Sequence, residues 1–294
     1  MNIETIIEEF LHDVCAGKRN ETPTAYRSKL RRLAIFLDGR EINQDEINAW
    51  RIDLLERDLS PWTVRSVIGT VRHFLRWGTE HGYWDDIKLR NIPEPEPEPK
   101  AIQVDTFERL LEATEMLDEW QMARERAILL MLRDSGCRVG ALANLLMDGI
   151  NWSGEFEAHD KGRWNIYAIS PVTLDALSEW INHRRDRVLQ GVEQVFIGKK
   201  GGPMRRIGIY RAINHLAEIA GIEERHNPHS FRHAFARDAI QAGADLSLVA
   251  AMLNHRGGSA VTGKYYARWN RKEINLAHHK FGPIRMMTNE SAKP

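Results

Sequence analysis

The sequence predicts a mostly α-helical protein with one small antiparallel β-sheet, an α+β architecture in two domains. Three observations carry that reading. Apolar residues recur at helical spacing through most of the 294 residues. One stretch alone, 150–170, switches to the alternation expected of strands. A third stretch, "NIPEPEPEPK" (91–100), alternates proline with glutamate; it can enter neither a helix nor a sheet interior and reads as an extended, charge-stiffened linker.

Residues 1–90 read as four helices. "IETIIEEFLHDVC" sets Ile3, Ile6, Ile7, Phe10, Leu11 and Val14 on one stripe. "PTAYRSKLRRLAIFLDG" opens at a Thr-Pro signal and stops at Gly39, and "NQDEINAWRIDLLERD" follows. The fourth, "SPWTVRSVIGTVRHFLRWGTEHGYW", has Ser60 as N-cap and Pro61 at its first position. It pairs an apolar stripe (Val64, Val67, Ile68, Val71, Leu75) with a basic outer face of Arg65, Arg72 and Arg76. Beyond the linker, "VDTFERLLEATEM", "QMARERAILLMLRDSG" and "RVGALANLL" are helical, the second ending at Gly136. The stretch 150–170 alternates aromatic and β-branched residues around turn signals at Ser153-Gly154 and Lys161-Gly162, which predicts the small sheet. Helices return at 172–188, 208–220, 229–242 and 246–253, while "KKGGPMRRIG" lacks the order of a phosphate loop and reads as a turn.

Composition bounds the function without naming it. Apolar residues make up 43% and charged residues 28%, enough for packed cores and too little charge imbalance for wholesale disorder. Two cysteines, Cys15 and Cys137, cannot make a disulfide framework, so a reducing cytoplasm is expected. No apolar run reaches the roughly 20 residues of a membrane span, and the acidic start is unlike a signal peptide. The 41 basic and 41 acidic side chains cancel, yet residues 101–294 carry 26 Lys/Arg against 23 Asp/Glu, with basic clusters at 184–187, 199–200 and 205–206. Arg205 and Arg206, like Arg65 and Arg72, are candidates for contact with nucleic acid.

In "NPHSFRHAFARDAI" (227–240), His229, Arg232 and His233 share one helix face. A zinc site of the His-Glu-x-x-His form needs a glutamate where Ser230 stands, and Arg232 would repel the ion, so no metal is expected. A phosphate fits better: guanidinium forks clamp its oxygens, and strand cleavage also needs a nucleophile and an acid for the leaving oxygen. His233 reads as structural and Cys137 as a small buried thiol.

Four segments in order, "SGCRVGALANL" (135–145), "HDKGRWNIYAIS" (159–170), "HSFRHAFA" (229–236) and "AAMLNHRGGSAVTGKYYARW" (250–269), resemble the successive active-site boxes of the tyrosine recombinase (phage integrase) family. The resemblance implies a helical, SAM-like core-binding domain at 1–90, a linker at 91–100, and a catalytic domain at 101–294 with a C-terminal tail from about 270. It implies that Arg138 and Arg232 clamp the scissile phosphate and that Lys161, at a hairpin tip, protonates the leaving 5′ oxygen. His229 would assist proton transfer, His255 would donate to the phosphate, and Tyr265 would be the nucleophile. The loop after His255 is one residue longer than the family's pattern, which keeps Tyr266 as a second candidate. Three further departures stand out: Ala141 replaces the acidic residue common three positions after the first arginine, Asn254 replaces the glycine of Leu-Gly-His, and Asp160 replaces the first glycine of the hairpin turn.

The implied activity is site-specific DNA recombination through a 3′-phosphotyrosine, with no metal, cofactor or ATP. The implied partners are double-stranded DNA with an inverted-repeat-type site and further copies of the chain, as a tetramer, in a cytoplasmic, nucleoid-associated setting. A phenol with a pKa near ~10 is a weak nucleophile at neutral pH, so the surrounding cations must ease its ionisation. Losing one such donor is expected to cost on the order of 10²–10³ in rate. Competing readings are a DNA-binding protein of the same fold with weakened catalysis, a metal-dependent hydrolase using His229 and His233, and a topoisomerase with the same chemistry.

Overall fold

The computed structural model describes residues 2–16, 21–95, 101–160 and 162–255. The chain divides into two compact units, Met1–Glu96 and Pro97–Pro294.

The first unit holds four helices among the described residues: α1 (Ile3–Cys15), α2 (Glu21–Leu37), α3 (Gln44–Glu56) and α4 (Pro61–Glu80). Their starts are set by side-chain oxygens that accept from otherwise unpartnered N–H groups: Asn2 from Glu4, Asn43 from Glu46 and Ser60 from Thr63. Helix α2 begins at Glu21, ahead of Pro23. A proline inside the first turn sacrifices no intrahelical bond, so it does not mark the boundary. The apolar stripes meet in one core around Phe10, Leu30, Leu33, Trp50, Val71 and Phe74, each such side chain contributing roughly 1.5–3 kcal/mol on burial. The unit reaches into the Pro/Glu stretch beyond residue 90 because Arg65 Nη1 donates to the Ile92 carbonyl at 2.5 Å and its Nη2 lies 3.6 Å from Glu94 Oε2.

In the second unit, α5 (Val104–Thr114), α6 (Glu119–Ser135) and α7 (Val139–Ala143) precede a three-stranded antiparallel sheet, β1 (Ile150–Asn151), β2 (Glu155–Asp160) and β3 (Arg163–Ala168). Then come α8 (Pro171–Arg184), α9 (Arg206–Ile219), α10 (Pro228–Gln241) and α11 (Leu246–Met252). The β2–β3 register pairs Phe156 with Tyr167 and Asp160 with Arg163. Alternation turns Phe156, Ala158 and Asp160 inward on β2, and Asn165 and Tyr167 inward on β3. The core gathers on α6, whose Leu129, Met131 and Leu132 are fully buried with Trp180, Phe196 and Phe231.

Three chain ends converge on one side of this core. Helix α6 stops at Gly136, which is left-handed (φ 60°); a Cβ there would lie 2.7 Å from the Phe235 ring, so only glycine allows the turn into Arg138. Helix α10 starts at Pro228 behind Asn227, whose side chain accepts from the His229 and Ser230 N–H groups. Helix α11 ends at Leu253–Asn254, with Asn254 left-handed (φ 53°), and delivers His255.

Candidate active site

Among the described residues of the predicted site, Arg232 is the most deeply set, 2% exposed within α10. Its Nη1 donates to the Gly136 carbonyl at 2.7 Å and its Nη2 to the Leu253 carbonyl at 2.5 Å. One guanidinium thus ties the end of α6 to the end of α11. Arg138, at the start of α7, is more open and donates from Nη1 to Asp160 Oδ2 at 3.2 Å. His229 faces solvent on the first turn of α10, its ring 5.1 Å from that of half-buried His233.

His255 draws these groups into one field. Burial first, and then the charges of Arg232, Arg138, His229 and His233, lower its pKa to about 4. His233 is likewise held down near 4, by burial first and then by His229, Arg225 and Arg232. Both imidazoles are therefore neutral at pH 7 in the absence of an anion. A neutral imidazole still donates one N–H, so His255 can hydrogen-bond a phosphoryl oxygen without carrying charge. The structure brings Arg138, Arg232, His229 and His255 together. Lys161, Tyr265, Tyr266 and the tail from about 270 lie outside the described residues.

Three contacts around this group had no counterpart in the sequence reading. Asp160 is a buried carboxylate against Arg138, not a neutral replacement for a turn glycine. Arg163 Nη2 donates to the Asn254 carbonyl at 2.5 Å, and Asn254 Nδ2 donates to the Ile166 carbonyl at 3.2 Å. The β2–β3 hairpin is thereby pinned to the residue preceding His255. The available signal was the joint departure at Ala141, Asp160 and Asn254.

Two nearby groups are unsuited to nucleophilic attack. Burial pushes the Cys137 thiol up to about 11, and the thiol is 1% exposed. Tyr167 sits in the same field as Arg138 and Arg232, yet burial raises its pKa well above the ordinary tyrosine value and its hydroxyl has no hydrogen-bond partner among the described residues. A phenol so placed is neither reachable nor readily ionised. Among the described residues no group of three or more His, Cys, Asp or Glu side chains is arranged to hold a metal ion, and no helix is long and apolar enough to cross a membrane.

The other basic candidates differ in availability. Arg65 is tied to Ile92 and Glu94, as above. Arg72 lines an open concavity of about 590 Å³ with Arg76, Lys88 and Arg90. Arg205 and Arg206 border a groove of about 760 Å³ with Asn144 and with Val139, the residue that follows Arg138.

Two guanidinium groups and two imidazoles within electrostatic reach of one another, one guanidinium bonded to a carboxylate, are groups chemically suited to phosphate oxygens. The family model described as the phage integrase family matches residues 100–273. The tyrosine recombinase XerD of Staphylococcus haemolyticus (strain JCSC1435) is 27% identical over 296 residues, spanning 96% of this chain and 99% of that protein. The tyrosine recombinase XerC of Roseiflexus castenholzii (strain DSM 13941 / HLO8) is 28% identical over 290 residues, spanning 92% and 91%. Among solved structures, the XerH site-specific recombinase bound to palindromic difH substrate in a post-cleavage complex matches with a TM-score of 0.72 at 17% identity, over 91% of this chain and 82% of that one. A lambda integrase tetramer bound to a Holliday junction matches with a TM-score of 0.68 at 15% identity, over 93% and 81%. The structural likenesses establish the fold, and the family match covers more than half of the sequence: the chain belongs to the phage integrase family.

Proposed function

We propose that this chain is a site-specific DNA recombinase that cleaves and rejoins strands through a 3′-phosphotyrosine intermediate, without metal or ATP. The observation that carries the reading is the shared field of Arg138, Arg232, His229 and His255, which suits one phosphate and supplies the charge a metal would otherwise bring. Tyr265 attacks phosphorus as the phenolate, with Tyr266 as the alternative. The bond from phosphorus to the 5′ oxygen breaks, and Lys161 hands that oxygen a proton. Attack by a 5′ hydroxyl on the phosphotyrosine reverses the step and conserves the bond energy, so no nucleotide is consumed.

In this reading the first unit is a core-binding domain that grips the duplex, with Arg72 toward the backbone, and Arg205 and Arg206 extend the contact from the second unit. Four copies acting on two inverted-repeat-type sites, in a nucleoid-associated setting, complete the proposal. The test is a duplex nicked near the cleavage point, from which the short 5′-hydroxyl fragment diffuses away after cleavage. Wild-type protein should accumulate a covalent protein–DNA complex that Tyr265→Phe does not form. Trapping that survives in Tyr265→Phe and vanishes in Tyr266→Phe moves the nucleophile by one residue. Ala141 favours a second reading, a DNA-binding protein of this fold with weakened catalysis; tight binding to a verified site with no adduct would select it.

A further inference from the structure

We infer that Asp160 is the positioning carboxylate of this site, replacing the acid that the family commonly keeps three residues after its first arginine. The inference rests on the recombinase reading above. At position 141 this chain has a methyl group, fully buried in the core with no polar atom to offer. At position 160, where the family's hairpin has glycine, it has a carboxylate that is 7% exposed and bonded to Arg138. The acid has moved from the helix that carries the arginine to the strand facing it.

The geometry suits the role. Asp160 Oδ2 takes one hydrogen of Arg138 Nη1, leaving the remaining guanidinium N–H groups for the phosphate. Asp160 itself is fixed by the sheet, opposite Arg163 in register, and is the residue immediately before Lys161. Gly140 makes room for it: a Cβ at that position would lie 3.1 Å from Asp160 Oδ1. The single contact therefore sets the arginine's direction and links the start of α7 to the strand that leads into the predicted lysine.

Asp160 touches no substrate in this scheme and acts through Arg138, so its removal should lower the rate of the chemical step and spare binding. The probe is a nicked duplex carrying the site selected from a random-sequence pool by retention on wild-type protein. Asp160→Asn is close in shape and keeps the fold. It should slow single-turnover adduct formation about 10–100-fold while DNA affinity stays within about threefold. In an Arg138→Ala background the same change should have no further effect, because the group it orients is gone. Asp160→Glu should recover part of the rate. Wild-type protein that forms no adduct overturns the recombinase reading and this role with it. A working wild type with Asp160→Asn equally fast or faster overturns the positioning role alone, as does a full additional loss in the Arg138→Ala background.

Discussion

Arg232 is both a candidate phosphate clamp and a structural strut, and the two roles can be separated by stability. Arg232→Ala removes two hydrogen bonds from a charged donor, to the carbonyls of Gly136 and Leu253, in a site that is 2% exposed. Such bonds contribute roughly 1.5–3 kcal/mol each, and the two acceptors are left with no replacement donor. The expected destabilisation is therefore about 3–5 kcal/mol. For a unit spanning Pro97–Pro294 this corresponds to a Tm lower by roughly 6–20 °C. Arg232→Lys can serve one carbonyl but not both, and should fall about halfway. His229→Ala changes an exposed side chain on the same helix and should cost under about 1 kcal/mol. Urea denaturation followed by circular dichroism, in the absence of DNA, measures all three. If Arg232→Ala lies within 1 kcal/mol of wild type, or His229→Ala falls as far, the strut is not what holds α6 to α11. If the prediction holds, lost recombination in Arg232→Ala is not by itself proof of a catalytic role, and the lysine variant becomes the informative one.

The histidines give a pH dependence of defined sign. His233 and His255 titrate near 4 in the folded protein against about 6.5 when unfolded, so the unfolded chain binds protons first as pH falls. Stability present above 6.5 should decline by roughly 1–2 kcal/mol per histidine toward pH 4, discounted for partial exposure; urea midpoints at pH 7.5, 6.0 and 5.0 should fall in that order, less steeply in His233→Asn. Gly78→Ala should destabilise the first unit by about 2–4 kcal/mol, because the new Cβ would sit 1.9 Å from the Trp84 ring and displace its bond to the Leu75 carbonyl; an unchanged tryptophan fluorescence spectrum and Tm would contradict this. Asn254→Gly keeps the left-handed backbone and should leave stability within about 1 kcal/mol of wild type in urea denaturation, whereas Asn254→Val should lose about 1–2 kcal/mol and slow adduct formation by misplacing His255.

How much of this was legible in the sequence follows from the range of the interactions involved. The apolar stripe of α1, the Ser60–Pro61 start of α4 and the turn signals flanking β2 are local, and each element lies where its residues place it. The start of α2 was misread because a proline signal is ambiguous within the first turn. At the site, the spacing of His229 and Arg232 could be read directly, but what Arg232 holds could not: its acceptors are 96 and 21 residues away in sequence. Asp160 was passed over for a similar reason. Position by position, Ala141 looks like a missing acid and Asp160 like a stray substitution in a turn. Only the pairing of α7 with β2 makes them one change.

The same distinction explains why a net charge of zero misleads about this protein. Charge counts treat every arginine as surface potential, whereas a binding site feels only those left facing its ligand. Arg124 is spent on buried Glu125 and the Ile197 carbonyl, Arg184 on the carbonyls of Val192 and Gln194, and Arg65 on Ile92. These groups stabilise loops and helix ends and add little to a field seen by DNA. Arg138 is different, because its one carboxylate partner lies on the strand side and leaves other donors open. Half-buried neutral histidines then add hydrogen-bond donors without adding to the repulsion between guanidinium groups. A site built this way depends on how its arginines are held, Arg232 by two carbonyls and Arg138 by one carboxylate, and not on how many arginines the chain contains.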